Sequence, residues 1–306
     1  MLNGILNVYK EPGFTSSDVV AKLRGILHQK KIGHAGTLDP AAEGVLPILL
    51  GTATRLSEYV MDHEKTYRAV LLLGVVTDTQ DMTGTVLSEF TGVLPSKEEL
   101  GEAALSFIGT YEQLPPMYSA KQINGRRLYD LAREGKEIPR RKVPVTIMDL
   151  QIETIDLPQV TFTVTCSRGT YIRTLCHDIG QKLGCGGAMK QLTRTRAGGF
   201  MAEDAITLGQ IEDLTHKGRI GEYVIPCEEL FLDCLRVRTP SAGAQKKLLN
   251  GNALTPAELS LPAFGAGDLI RLCSMEGDFL AVYRFDEEKK QYIPYRMLIP
   301  PGEELS

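Results

Sequence analysis

Apolar and polar positions along the chain alternate between two periods, which predicts a protein of mixed strands and helices. Leu2 to Tyr9 reads as a short strand. The turn from Lys10 to Ser16 leads into a helix capped by Ser16 or Ser17, with Val19, Val20, Leu23, Ile26 and Leu27 on one face and Gly33 as its expected end. Ile48 to Leu50 is apolar, Thr52 to Ser57 opens a further helix, and Thr66 to Gly74 reads as a core strand with Tyr67 at its entry. Thr77 to Thr83 is polar and turn-like, and Ser96 with Glu99 forms a capping box for a helix reaching Phe107.

Val145 to Ile155 and Val160 to Cys166 follow as strands. Gly169 to Leu175 then opens a helix whose apolar stripe is Ile172, Leu175, Cys176, Ile179 and Leu183. Arg173 lies about 100° around the wheel from Ile172, at the edge of that stripe. Met189 to Gly198 is extended and carries basic side chains. Between Asp233 and Thr239 the pattern shifts to a short helix, Ala242 to Leu249, and three strand-like runs, Asp268 to Cys273, Phe279 to Phe285 and Tyr292 to Leu298. A domain boundary is expected there, with a small β-barrel after it.

Composition narrows the function. With 306 residues, 43% of them hydrophobic, the chain can build a sizeable core in about two domains. A net charge of -4 argues against a generic nucleic-acid binder, so the distribution of charge must carry that question. Two stretches stand out. Ser119 to Val145 holds eight Lys and Arg against three acids, and Thr165 to Gly198 holds six against one, so each is +5. Positive charge concentrated this way is the footprint of an RNA-facing surface, and equally of a solvated charged loop.

Other classes fall away. No Gly-Lys-Ser/Thr loop and no G-x-G-x-x-G after a strand is present, which removes nucleotide hydrolysis and dinucleotide binding. The six cysteines are scattered without a Cys-x-x-Cys, and His177 beside Cys176 and Cys185 has no metal-ligand spacing, so reduced thiols and no metal or other cofactor are expected. No apolar run approaches the roughly 20 residues of a membrane span, and the first residues lack a secretory pattern, which predicts a cytoplasmic protein with no membrane partner.

The stretch Gly33 to Pro47 sets one acid, Asp39, inside an apolar, glycine-punctuated turn. Pro40 biases Asp39 towards extended backbone, and Gly33, Gly36 and Gly44 permit turns or close approaches, so the segment is built to aim a carboxylate. An Asp before Pro serves equally well as a turn cap.

Six motifs, in order, resemble the bacterial tRNA pseudouridine-55 synthases, the TruB family, over essentially the whole chain. They are Lys10-Glu11-Pro12-Gly13-Phe14-Thr15-Ser16, Gly33 to Pro47, Lys65-Thr66-Tyr67-Arg68-Ala69, Pro115-Pro116-Met117-Tyr118-Ser119-Ala120, Gly169-Thr170-Tyr171-Ile172-Arg173-Thr174-Leu175 and Gln191-Leu192-Thr193-Arg194-Thr195. One departure is Lys121-Gln122, where the family usually has an apolar residue before the lysine.

The resemblance implies an α+β fold, with a mixed, largely antiparallel sheet and flanking helices in a catalytic domain spanning 1–234. An RNA-gripping insertion at about 115–145 and a PUA-like RNA-binding barrel over 235–306 complete it. The implied reaction converts the T-loop uridine at tRNA position 55 to pseudouridine without a cofactor, by flipping the base, breaking its glycosidic bond and rejoining C1′ to C5. Asp39 matches the catalytic aspartate, with attack on C1′, addition to C6 and a glycal route all open to it. Arg173 matches its arginine partner, and Tyr67 the tyrosine that stacks on the base and is a candidate for proton transfer. His34, Tyr171 and Leu192 match substrate-contacting positions. Lys121, Arg126, Arg127, Arg140, Arg141, Lys142 and Arg194 are candidates for the RNA backbone. The expected partner is the T arm of tRNA, bound by a monomer with no obligatory protein partner. A tRNA-binding folding helper is the alternative, and a small-glycoside hydrolase, lacking a second placed carboxylate, stands further behind.

Overall fold

The computed structural model describes residues 1–119, 122–123, 125–128, 132, 134–135, 138–261 and 267–299. Seventeen strands are described: β1 (Gly4–Lys10), β2 (Ile32–His34), β3 (Glu43–Leu50), β4 (Lys65–Leu73), β5 (Val75–Thr77), β6 (Val86–Glu89), β7 (Gly109–Gln113), β8 (Gln122–Ile123), β9 (Arg126–Arg127), β10 (Val143–Asp156), β11 (Gln159–Cys166), β12 (Gly187–Ala197), β13 (Phe200–Met201), β14 (Leu235–Arg238), β15 (Leu269–Cys273), β16 (Phe279–Asp286) and β17 (Gln291–Met297). The α-helices are α1 (Ser16–Ile26), α2 (Ser57–Asp62), α3 (Lys97–Leu105), α4 (Ile172–Lys182), α5 (Leu208–His216) and α6 (Ala242–Leu249).

A nine-stranded sheet runs β1-β3-β12-β4-β11-β10-β7, with β2 on β3 and β13 on β12. Every pair is antiparallel except β3 and β12, which run parallel over a two-residue contact. The sheet is therefore mixed and largely antiparallel, as the family resemblance implies.

β1 and β3 are buried on both faces, which explains their nearly unbroken apolar runs. Leu6, Val8, Leu46 and Ile48 face Val19, Val20 and Leu23 of α1 and Ile211 of α5. Ile5, Val45 and Leu49 face the opposite way, into a cluster with Phe231, Val282 and Leu298. The third cluster fixes α4 on the central strands, packing Ile172, Leu175, Cys176 and Ile179 against Leu71, Phe162 and Val164. At about 25 cal/mol per Å² of apolar surface, this burial is the main force holding α4, and hence Arg173, in place.

Local differences from the sequence reading have simple causes. Thr15, rather than Ser16 or Ser17, caps α1, because a capping box needs an acid at the third helical position and Asp18 stands three residues after Thr15. Helix α1 stops at Ile26, and Gly33 belongs to β2. The segment from Gly51 to Leu56 is a 3-10 turn that precedes α2.

Beyond residue 234, β14-β15-β16-β17 form a four-stranded sheet with its own core of Val237, Leu248, Ile270, Leu272, Tyr283 and Tyr292. Among the described residues its strand order does not close on itself, so these residues show a four-stranded sheet in place of the expected barrel.

Candidate active site

The segment between β2 and β3 carries Asp39. The Ala42 amide donates to the Asp39 carbonyl at 3.1 Å, which sets Pro40 at the second position of a tight turn, where its fixed φ fits. The carboxylate itself does not cap this turn: Arg173 Nη2 donates to it, 3.0 Å from Oδ1 and from Oδ2.

Two neighbours hold the loop's backbone. Lys10, fully buried, donates from Nζ to the carbonyls of Glu11, Phe14 and Pro40 at 3.1, 2.7 and 3.2 Å. Ser16 Oγ accepts from the Leu38 amide at 2.9 Å. Burial lowers the Lys10 ammonium to about 8, while the Asp39 charge draws it back up and that of Arg194 lowers it further.

Sheet register assembles the rest. Gly44, Arg194, Tyr67 and Val164 lie abreast on β3, β12, β4 and β11. Gly44 has φ +104°, and a Cβ there would sit 2.2 Å from the Arg194 carbonyl, so only glycine permits this close pairing. Gly36 also has positive φ, whereas Gly33 does not, which removes Gly33 from the three expected special positions.

Arg194 is a correction to the sequence reading. Expected on the RNA backbone, it is 1% exposed, with Nε on the Val45 carbonyl at 2.7 Å and its two terminal nitrogens on Thr37 and Gly36 carbonyls at 3.4 and 3.2 Å. Its alternate position on β12 points it under the Asp39 loop, where it has no surface to offer a phosphate.

Arg173 reaches Asp39 from the first turn of α4 and is 6% exposed, more deeply buried than its helix-edge position implies. A second carboxylate explains how the charge is tolerated: Asp81 Oδ2 lies 3.6 Å from Arg173 Nη1. Asp81 is itself buried, and its Oδ1 accepts from Thr79 Oγ1 at 2.8 Å, the Thr83 amide at 2.9 Å and Thr83 Oγ1 at 2.5 Å. The loop bearing it is tied to β12 through Met82 and Gln80, which exchange backbone bonds with Met189, and to α4 through Thr174 Oγ1, which donates to Gln80 Oε1 at 2.7 Å.

By sequence Thr77 to Thr83 reads as a plain turn, and nothing in that reading singles out Asp81. The available cue was an acid flanked by Thr79 and Thr83, a set that satisfies a carboxylate locally and so allows it to be buried.

Burial raises the Asp39 carboxyl above its ordinary value, Arg173 opposes the rise, and Asp81 adds to it. Tyr67 is buried at the entry of β4, and burial likewise raises its phenol, keeping it protonated. Leu38, Ala42, Tyr67, Ile172 and Leu192 share one apolar cluster, so Tyr67 and Leu192 line the Asp39 loop. Tyr171, half-buried, immediately precedes α4. His34 ends β2 with its Nδ1 buried and lacking a hydrogen-bond partner, and burial lowers its pKa, which favours a neutral ring.

The remaining candidates lie on the insertion. Arg126 pairs with Glu134, Arg140 donates to the Pro115 carbonyl at 3.0 Å, and Arg141 and Lys142 are exposed. Lys121 and the side chain of Arg127 lie outside the described residues. Among the described residues no cluster of His, Cys, Asp and Glu has the makings of a metal site, and no helix is long and apolar enough to cross a membrane.

Residues 24–172 match the N-terminal domain of the TruB family pseudouridylate synthases, and residues 173–232 match the C-terminal domain of tRNA pseudouridylate synthase B. The chain is 45% identical over 309 residues to tRNA pseudouridine synthase B of Lachnoclostridium phytofermentans, covering 97% of this chain and 100% of that protein. It is 47% identical over 253 residues to the protein of the same name from Alkaliphilus oremlandii, covering 83% of each. Among solved structures, a Cbf5-Nop10-Gar1 complex contains a chain similar at 26% identity and a TM-score of 0.73, over 97% of this chain and 85% of that one. An H/ACA RNP bound to a substrate RNA contains another at 24% identity and 0.72, over 98% and 86%, a likeness of fold. By sequence along nearly its full length and by fold, this chain belongs to the TruB family of tRNA pseudouridine synthases.

Proposed function

We propose that this chain isomerises the T-loop uridine at position 55 of tRNA to pseudouridine, with Asp39 as the catalytic carboxylate. The observation that carries the reading is the Arg173 guanidinium bridging both oxygens of Asp39 at 3.0 Å. A carboxylate on a rigid turn, held by a charge-assisted bond in a partly dry site, is an aimed anion and not a surface acid.

In the reaction the C1′–N1 bond breaks and a C1′–C5 bond forms. C5 gives up its proton and N1 regains one, so no redox partner or cofactor is consumed. Attack on C1′, addition to C6 and the glycal route all draw on an ionised Asp39. Tyr67, with a protonated phenol and a buried ring, suits stacking on the flipped base better than proton abstraction, and Leu192 and Tyr171 complete the walls of a uracil pocket. His34, as a neutral ring, contacts the substrate beside the flipped base.

The insertion supplies the grip on the RNA backbone through Arg126, Arg140, Arg141 and Lys142, with Lys121 and Arg127 as further candidates. Residues 1–234 act as the catalytic domain and 235–306 as a PUA-like RNA-binding module, supported by the separate core of that module. The protein works as a cytoplasmic monomer on the T arm.

The test is pseudouridine formation in T-arm RNA by the wild type and by Asp39→Asn. Conversion by the wild type and none by the variant is expected. Undiminished conversion by the variant would overturn the role of Asp39. A tRNA-folding effect that survives in Asp39→Asn but not after charge reversal across the insertion would point instead to the folding helper.

A further inference from the structure

We infer that Gln113 is a positioning residue for the pseudouridine reaction: it holds the backbone of Tyr171 by both polar groups and so fixes the start of the helix that presents Arg173 to Asp39. The inference rests on the function proposed above, because only that reading gives Tyr171 and Arg173 their roles.

Gln113 is the last residue of β7, and its register partner is Val143 on β10. Pro115 and Pro116 follow, and a proline cannot continue a ladder, so the Gln113 and Val143 pair closes the root of the RNA-gripping insertion. The Gln113 side chain turns away from the insertion, towards α4, and is 0% exposed. A buried amide is costly unless its polar atoms are satisfied, and here both are. Oε1 accepts from the Tyr171 amide at 2.8 Å, while Nε2 donates to the Tyr171 carbonyl at 3.0 Å and to the Tyr111 hydroxyl at 2.6 Å.

The start of α4 explains why such a clamp is needed. Helices ordinarily begin at a residue whose short side-chain oxygen satisfies a free amide of the first turn. Tyr171 occupies that position and forms no side-chain cap. Its carbonyl accepts from the Leu175 amide at 3.0 Å as the first helical bond, and Gln113 supplies the second partner of that carbonyl and, among the described residues, the partner of the Tyr171 amide. One amide from a different strand thus sets the orientation of the peptide from which the Tyr171 ring projects. Two residues on, Arg173 inherits that orientation, and it must place one nitrogen 3.0 Å from Asp39 and another 3.6 Å from Asp81.

The test compares the wild type with Gln113→Met, which keeps length and bulk but removes every hydrogen bond, and Gln113→Glu, which keeps the acceptor for the Tyr171 amide and loses the amide donors. Three quantities are measured: the single-turnover rate per folded molecule, the Kd for T-arm RNA, and amide hydrogen exchange over Tyr171 to Thr174. For Gln113→Met the expected result is a rate lower by at least about tenfold, because small misplacements of reacting groups are costly. Its Kd should stay within about twofold, and exchange at Tyr171 should be faster. Gln113→Glu should be milder and should recover as pH falls, since a protonated carboxyl regains a donor. A wild-type rate per folded molecule with unchanged exchange in Gln113→Met overturns the inference, as does a loss confined to Kd. Should Gln113→Met not fold, Gln113→Glu and Tyr111→Phe decide through the same three measurements. If the wild type itself modifies no RNA, the proposed function fails, while exchange at Tyr171 still reads the clamp directly.

Discussion

Two stretches of this chain carry the same excess of positive charge and use it in opposite ways. In 119–145 the described cations lie at or near the surface: Arg126 with Glu134, Arg140 against a backbone carbonyl, Arg141 and Lys142 in solvent. In 165–198 the two most deeply buried cations, Arg173 and Arg194, turn inward and hold Asp39 and the carbonyls of its loop. Arg168 and Arg196 from that second stretch pair with Asp62 and Glu64. A tally of charges therefore does not separate a grip from a scaffold; the strand or helix face on which each residue falls does.

The sharpest test is Arg173→Met. It leaves Asp39 and Asp81 facing each other without their shared cation, which is expected to destabilise the fold by about 3 kcal/mol and to lower turnover by on the order of a thousandfold. The residual activity should also shift in pH. Arg173 holds the Asp39 pKa down against burial, and the reaction needs the ionised carboxylate. Activity is lost as pH falls through that pKa, so removing the guanidinium moves the acid limb of the single-turnover profile to higher pH. An acid limb that stays in place would mean that Asp39 does not own it.

Next in size is Arg194→Met. Two carbonyls of the loop and that of Val45 on β3 lose a charged donor, and a loss of about 2 kcal/mol in chemical denaturation is expected, with turnover down about a hundredfold and RNA affinity little changed. A loss of affinity with normal turnover would return Arg194 to the RNA surface.

The opposite profile is expected on the other stretch. Replacing Arg140, Arg141 and Lys142 together by Gln should weaken T-arm binding about tenfold at low salt and make its dependence on log salt shallower by about two units, with turnover of bound RNA intact. An unchanged salt slope would show that these side chains do not neutralise phosphates.

The smallest effect lies where the two stretches meet. Burial raises Asp178, the one acid of the second stretch, to about 6, and the Lys142 charge works against that rise. The folded carboxyl keeps its proton over a range in which the unfolded one, near 3.8, has lost it, so stability falls as pH rises from about 4 to about 6. Asp178→Asn should therefore raise stability by about 1 kcal/mol at pH 7, after discounting for solvent at a half-buried site, and by nothing below about pH 3.5. Thermal melts at the two pH values check this, and an equal gain at both would exclude ionisation as the cause.

Much of the architecture was legible because local rules decide it. The α3 capping box, the strands from Val143 to Cys166 and the apolar stripe of α4 follow from spacing alone. The pairing of Arg173 with Asp39 was legible only through the family resemblance, since 134 residues separate them. Asp81 and Gln113 were not legible. Each looks like an ordinary turn or strand-end residue until a distant element arrives against it.

The sequence by itself determined which segments become strands and helices, that one acid would sit on a glycine-lined turn, and which family the motifs resemble. Period, capping and turn chemistry act within a few residues, and a single chain displays them openly. Only the tertiary structure decided which basic residues became internal. Register set Gly44, Arg194 and Tyr67 abreast, and α4 carried Arg173 between two carboxylates. A buried charge persists only where partners from other elements offset its lost hydration, and those partners are chosen by packing rather than by neighbourhood in the chain.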